Sequence, residues 1–235
     1  MHIQFLGATQ TVTGSKYLIK TEKMKLLIDC GLFQGYKELR MRNWNSLPFA
    51  PSEIDYVLLT HAHIDHSGYI PLLVKNGFRG KVFCSEATRD LCEVLLPDSG
   101  HLQEEEARYA NRKGYSKHHP ALPLYTREEA ETSLAYFQPV SFDKRFKIDE
   151  DLYFTFHYAG HILGASLIRV EHYDISLLFS GDLGRPNDPI MYPPNNPPQS
   201  DYCVIESTYG DRLHEETDPE QCLGQIINKT IKRSR

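Results

Sequence analysis

Tyr56-Val57-Leu58-Leu59-Thr60-His61-Ala62-His63-Ile64-Asp65-His66-Ser67-Gly68 runs an unbroken apolar segment straight into four metal-competent side chains within six residues, in the pattern H-x-H-x-D-H. Apolar residues without alternation read as a strand buried on both faces. Ser67 is placed to cap a helix over 69–75, which sets Asp65 and His66 at a strand-to-helix junction, a common position for sites in layered α/β folds. Three imidazoles this close repel one another when protonated, whereas a metal takes neutral imidazole and carboxylate as ligands. The stretch predicts a metalloprotein, and a hydrolase.

Working outward, short apolar runs predict strands over 3–6, 17–19 and 25–28, the first two separated by a Gly- and Thr-rich turn over 7–14. A further buried strand is expected over 81–84. Helical stretches follow over 88–96, 102–112 and 127–136, interrupted at 117–120. Strand signals then return over 152–157, 166–171, 175–179 and 202–205, and the Pro-rich stretch 186–198 reads as a surface loop. The end, 217–235, reads as a helix capped near Thr217 or Asp218, with Pro219 in its first turn. Strands, helices and strands again predict an α+β fold of two mixed sheets covered by helices, a four-layer αββα sandwich.

The chain has 235 residues, 40% hydrophobic and 24% charged, as in an ordinary globular protein of one large domain or two small ones. A net charge of −5 excludes non-specific capture of nucleic acid by the whole chain, so such a substrate would need a local positive field of the kind metals supply. No apolar run approaches the ~20 residues of a membrane span. The N-terminus lacks the charged and apolar regions of a signal peptide. Cys30, Cys84, Cys92, Cys203 and Cys222 are scattered and never form C-x-x-C. They read as buried free thiols of a reducing compartment, hence a cytoplasmic protein.

His161 and Asp182 each stand just past a predicted strand, in AGHILGA and FSGDLG. Alone, a His or Asp in a Gly-rich turn is more often structural than a ligand. Their order after an H-x-H-x-D-H motif changes that weighting.

Five stretches, LLIDCGLFQG, LLTHAHIDHSGYIPLL, AGHILGAS, FSGDLGRPNDPI and IESTYGDRLH, spread over residues 26–214. In them the chain resembles the metallo-β-lactamase superfamily. Within it, it resembles the β-CASP nucleases, which include ribonuclease J and the endonuclease subunit of the messenger-RNA cleavage and polyadenylation machinery. The last two stretches carry the nuclease resemblance, since the earlier ones occur throughout the superfamily. The resemblance implies that His61, His63 and His161 hold one zinc, and that Asp65, His66 and Asp182 hold a second, with Asp182 bridging. It places Asp29 as a support for the histidine loop that binds no metal directly.

Two zinc ions with three protein ligands each leave room for a shared water and a substrate. Imidazole-rich ligation favours zinc, or manganese under another metal supply, over magnesium. Two divalent ions against two carboxylates and a hydroxide leave surplus positive charge, which suits a phosphodiester and its transition state. The expected function is hydrolysis of RNA phosphodiester bonds by a metal-activated hydroxide, with Asp65, Asp182 and Glu206 as the catalytic carboxylates. Asp65 would orient the nucleophile. Glu206 ends a predicted strand, and spacing alone leaves it equally a loop carboxylate; the resemblance puts it in or beside the active site. Arg185 could touch phosphate or form a structural salt bridge. His118 and His119 read as part of an exposed loop, and His2, His101, His157, His172 and His214 show no ligand spacing.

β-CASP proteins continue past the length of this chain, with an inserted domain and two further histidine motifs. Residues 1–210 are therefore read as a metallo-β-lactamase-like catalytic domain, and 211–235 as the beginning of a truncated β-CASP region, so the sandwich is expected to be incomplete. Two other readings stay open. One is a small-substrate metallohydrolase acting on a thioester or lactone. The other is an inactive metal-binding domain that needs a protein partner or a second copy. Endonuclease and exonuclease action are not separated by these motifs.

Overall fold

A computed structural model describes residues 1–213 and 218–233. The chain opens with β1 (His2–Phe5), β2 (Tyr17–Lys20) and β3 (Lys25–Ile28), paired antiparallel in sequence. β4 (Tyr56–Leu58), β5 (Lys81–Cys84) and β6 (Phe137–Pro139) extend the sheet in parallel, giving the order β1-β2-β3-β4-β5-β6. The second sheet joins β7 (Arg145–Asp149), β8 (Leu152–Tyr158), β9 (Ser166–His172), β10 (Ile175–Phe179) and β11 (Tyr202–Val204), with β11 parallel to β10 and the rest antiparallel.

The continuous apolarity of β3 and β4 is explained by two cores, one on each face. Leu27, Val57 and Val82 pack against helices, while Leu26, Ile28 and Leu58 face Phe154, Phe156, Ile168 and Val170 of the second sheet. The helical side is built from α1 (Lys37–Met41), α2 (Ile64–Ser67), α3 (Ile70–Lys75), α4 (Glu86–Lys113) and α5 (Arg127–Ser133). Helices, sheet and sheet bear out the sandwich. Its outer helical layer is incomplete among the described residues. The outer face of the second sheet carries Arg145 over the Tyr153 ring and the Arg145–Glu171–Arg169 ion pairs, and α6 (Pro219–Arg233) is exposed at every residue but Gly224.

Several expectations are corrected. The helices predicted over 88–96 and 102–112 are one helix, α4, that runs through Pro97. Tertiary contacts hold the turn that proline weakens: Tyr125 donates its hydroxyl to Ser99 at 2.9 Å, and the Gly100 backbone packs on Thr126. The stretch predicted over 127–136 is α5 with a closing 3-10 turn. α1, α2, β6 and β7 were not legible. They are short, β6 ends on Pro139, and β7 alternates charged with apolar residues on an edge. Ser67 does not cap α3; buried in α2, it donates its hydroxyl to the carbonyls of Ala62 and His63 and ties down the histidine loop. All five cysteines are free, but only Cys30, Cys84 and Cys92 are buried. Cys203 is exposed because β11 is an edge strand, and Cys222 because α6 is open. The cap expected at Thr217 lies outside the described residues, whereas Asp218 accepts from the Glu220 amide at 2.9 Å.

Lys16 is 2% exposed and has no carboxylate partner among the described residues. Its ammonium donates to the Gly31 carbonyl and lies 4.9 and 4.8 Å from the Phe33 and Tyr69 ring centroids. Burial pulls its pKa down to about 8. A lysine whose folded pKa lies below its unfolded value costs stability at low pH, because folding must keep its charge out of water. That cost falls as pH rises through 8 toward 10.5. Relative to Lys16→Met, the wild type should therefore gain about 1 kcal/mol between pH 7 and 9. Urea midpoints of both proteins at the two pH values test this, and an unchanged difference would refute it.

Candidate metal centre

The C-terminal ends of β4, β8, β10 and β11 open on one rim of the sandwich, and every candidate residue lies there. His61 and His63 follow β4, and Asp65 and His66 sit in α2. His161 lies in the turn between β8 and β9, Asp182 just after β10, and Glu206 just after β11. Gly31 makes the close approach possible: a Cβ there would lie 1.5 Å from the Asp65 carbonyl oxygen. Gly164, at φ +79°, docks the His161 turn on the start of α4, where its carbonyl accepts from Ser85 Oγ at 2.7 Å and Thr88 Oγ1 at 3.0 Å.

Four donor atoms converge. His63 Nδ1 lies 3.0 Å from His61 Nε2 and 3.1 Å from His161 Nε2. Asp182 Oδ2 lies 3.7 Å from His61 Nε2 and 3.5 Å from His161 Nε2. A tetrahedron of ~2.1 Å metal bonds has edges of about 3.4 Å, so the donor set fits a divalent cation. The other carboxylate oxygen of Asp182, Oδ1, lies 3.2 Å from His66 Nε2, whose further neighbour is Asp65 Oδ2 at 3.8 Å. One carboxylate thus faces two donor groups.

The surrounding protein selects protonation states. Burial, followed by the neighbouring imidazoles, holds His61 well below its ordinary pKa, and burial and His161 lower His63. Both are kept neutral, the form that ligates. His66 is buried too, but the Asp29 and Asp182 carboxylates outweigh burial and raise it to about 10. Although burial opposes it, His66 holds Asp182 below the usual carboxylate range.

Asp29 works from behind the loop. Its Oδ1 accepts the Thr60 amide at 2.7 Å, and its Oδ2 accepts the Thr60 hydroxyl at 2.9 Å and faces His66 Nδ1 at 2.8 Å. This leaves His66 Nε2 pointing at Asp65 and Asp182. Asp29 adopts φ +55°, a conformation sparsely populated outside glycine. Sequence reasoning gave Thr60 no role, yet its hydroxyl also lies 3.0 Å from His61 Nδ1. Its place directly before the first ligand candidate was the available signal. Glu206 does not join the converging donors. Its Oε1 accepts the Leu183 amide at 2.6 Å, and its own amide donates to Ser180 Oγ at 3.0 Å.

A cavity of about 320 Å³ opens beside His66 and Asp182. Gln10, Thr11, Tyr17, Ser207 and Thr208 contribute hydroxyls and an amide, and among the described residues no lysine or arginine lines it. His118 and His119 are exposed, as expected, and His157 faces Asp143 at 2.7 Å. Arg185 is exposed and enters no ion pair among the described residues. His214 lies outside the described residues.

Residues 11–221 match the family described as the Metallo-beta-lactamase superfamily. The chain is 35% identical over 236 residues to Ribonuclease TTHA0252 of Thermus thermophilus, covering 99% of this chain and 50% of that protein. It is 28% identical to Transcription termination factor FttA of Methanocaldococcus jannaschii, over 99% of this chain and 36% of that one. It is also 28% identical to Cleavage and polyadenylation specificity factor 73 of Drosophila melanogaster, over 99% of this chain and 32% of that one. The chain thus spans half the length of the first relative and about a third of the other two. The resemblance to β-CASP nucleases read from the motifs is borne out by these relatives.

Proposed function

Because the chain belongs to the metallo-β-lactamase superfamily, we propose that it carries the metal-dependent hydrolytic centre of a ribonuclease of the β-CASP type. The observation that supports it best is the convergence of His61, His63, His161 and Asp182, with Asp182 turned at once toward His66. His61, His63 and His161 would hold one zinc. Asp65, His66 and Asp182 would hold the second, with manganese as the alternative metal. When bound, these ions supply Lewis-acid charge at the phosphoryl oxygen and acidify the attacking water.

The protein's own groups do the rest. Asp182 fixes the spacing of the two positions, and Asp65 orients the nucleophile. Glu206 holds the Leu183 amide and so the loop that bears Asp182. The polar cavity beside His66 receives the substrate, and with no lysine or arginine lining it among the described residues, charge neutralisation falls to the centre. RNA is the substrate, named for the activity of the Thermus relative. Residues 1–210 form the catalytic unit and 211–235 begin a β-CASP region, with a protein partner or a second copy bearing on full activity. A cytoplasmic location accords with RNA processing, and no helix among the described residues is long and apolar enough to cross a membrane.

Metal content by mass, with cleavage of labelled RNA beside bis(p-nitrophenyl) phosphate and a thioester, tests the proposal. Metal-dependent cleavage of RNA is expected, and thioester turnover without any phosphodiester cleavage would overturn it. The first position draws on four converging donors and the second on three, so a competing chelator should strip one ion before the other. Release of both together, with equal affinity, would refute the ranking.

A further inference from the structure

β10 and β11 are neighbours in one sheet, yet residues 180–201 join them without a helix or strand. Connections longer than about 12–15 residues with no secondary structure of their own are uncommon in a compact domain and are usually functional or disordered. This one is held in place. Its outgoing limb donates the Gly184 amide to the Ala159 carbonyl at 2.8 Å, and its returning limb donates the Asn195 amide to the Tyr158 carbonyl at 2.9 Å. Gly160 packs against both limbs: a Cβ there would lie 2.7 Å from the Tyr192 carbonyl oxygen, and a Cβ on Gly184 would lie 2.0 Å from the Gly160 carbonyl oxygen. Three consecutive residues, Tyr158, Ala159 and Gly160, thus anchor the connection immediately before His161, and Asp182 stands at its root.

This anchored arm shows solvent a cation and an aromatic ring. Arg185 directly follows Gly184 and is the lysine or arginine closest in sequence to any ligand candidate. Three residues from Asp182, its Cα lies within ~11 Å of that residue's. It is exposed and enters no ion pair among the described residues. Asp188, the nearest carboxylate along the arm on its far side, accepts the Ile190 and Met191 amides at 2.8 Å each. Those two bonds, and only then Arg185, hold its carboxyl below the usual carboxylate range. Tyr192 is 80% exposed although its backbone is seated on Gly160. The prolines between residues 186 and 198 fix φ along the arm, so ordering it on a ligand costs little entropy.

We propose that the β10–β11 arm holds single-stranded RNA at the rim of the metal centre, with Arg185 on a phosphate next to the cleaved one and Tyr192 stacked on a base. The proposal rests on the ribonuclease reading above and names the residues that grip its substrate. The planar guanidinium fork matches a phosphate, and single strands bind where cations meet phosphates and aromatic rings stack on bases. A purely structural arm that seals the end of the sheet would account for the packed glycines and the prolines. It would require neither an unpaired guanidinium beside the anchor nor an open ring above it.

The test measures binding of an unstructured fluorescent phosphorothioate oligoribonucleotide, which resists cleavage, to the metal-loaded full chain across a salt series. The proteins compared are the wild type, Arg185→Ala, Arg185→Lys, Tyr192→Ala and Tyr192→Phe. The controls are Lys23→Ala and Tyr173→Ala, on the β2–β3 and β9–β10 hairpins at the opposite end of the sheets. Arg185→Ala should lower the slope of log affinity against log salt by ~0.7, the value of one single-strand phosphate contact, and Arg185→Lys should keep the slope. Tyr192→Ala should weaken binding ~10-fold with the slope unchanged, and Tyr192→Phe, which keeps the ring, should restore it. The controls should bind as the wild type does. An unchanged slope in Arg185→Ala with full affinity in Tyr192→Ala would overturn the arm, the result expected if its prolines hold a protein partner. Failure of one alone would remove that residue from the grip. Equal losses in the controls would reduce the effect to charge and exposed rings anywhere on the surface, and overturn it too. A wild type that binds no RNA, whatever its turnover of bis(p-nitrophenyl) phosphate, would overturn the ribonuclease reading itself, and the arm with it.

Discussion

Asp182→Ala should abolish hydrolysis to within measurement, a loss of about 1,000-fold or more, while Glu206→Ala should lose only ~10 to 100-fold. Asp182 offers Oδ2 to His61 and His161 and Oδ1 to His66, so its removal withdraws a donor from both positions. Glu206 reaches the centre only through the backbone. It accepts the Leu183 amide at 2.6 Å and holds the loop that follows Asp182. The comparison belongs at saturating metal, where lost affinity is not mistaken for lost chemistry. Near-wild-type turnover by Asp182→Ala beside an inactive Glu206→Ala would reverse the two roles and leave the metals as bystanders.

The second large effect is expected at Asp29, which is 1% exposed behind the histidine loop. In Asp29→Asn, the amide oxygen can keep the Thr60 N–H only by turning its NH2 toward the Thr60 hydroxyl and His66 Nδ1. A donor now faces Nδ1, so the imidazole must carry its proton on Nε2, the nitrogen directed at Asp65 and Asp182. Affinity at the His66 position should fall ~10 to 100-fold, while the His61, His63 and His161 position keeps its metal. Asp29→Ala adds a buried, unpaired Thr60 amide, which costs roughly 1–3 kcal/mol of stability. Metal content of both variants under limiting metal, with their melting temperatures, decides the matter. Two ions bound as tightly as in the wild type would remove Asp29 from this role.

These residues divide by how far their chemistry is local. The strand of residues 56–58, the H-x-H-x-D-H donors behind it and the helix that follows were legible because continuous apolarity, metal-competent spacing and helical propensity act within a few residues. The double burial of that strand, inferred from its lack of alternation, is what the two cores on either face produce. The sequence could not reveal that Pro97 is carried through α4, because the compensation comes from Tyr125 and Thr126 on another element. Nor could it assign Ser67, whose hydroxyl turns back to Ala62 and His63 instead of capping the next helix.

The sequence by itself determined the donor types, their order and the strand ends that bear them. Only the tertiary structure decided which atoms meet. His161 comes within 3.1 Å of His63 across 98 residues because β8 and β4, in different sheets, end on the same rim. The same packing buries Asp29 against Thr60 and so fixes which nitrogen His66 presents, and it leaves Lys16 with no carboxylate partner among the described residues, against Phe33 and Tyr69. Pattern along a chain records what each residue can donate or bury, whereas distance, tautomer and desolvation are properties of neighbours that only folding supplies.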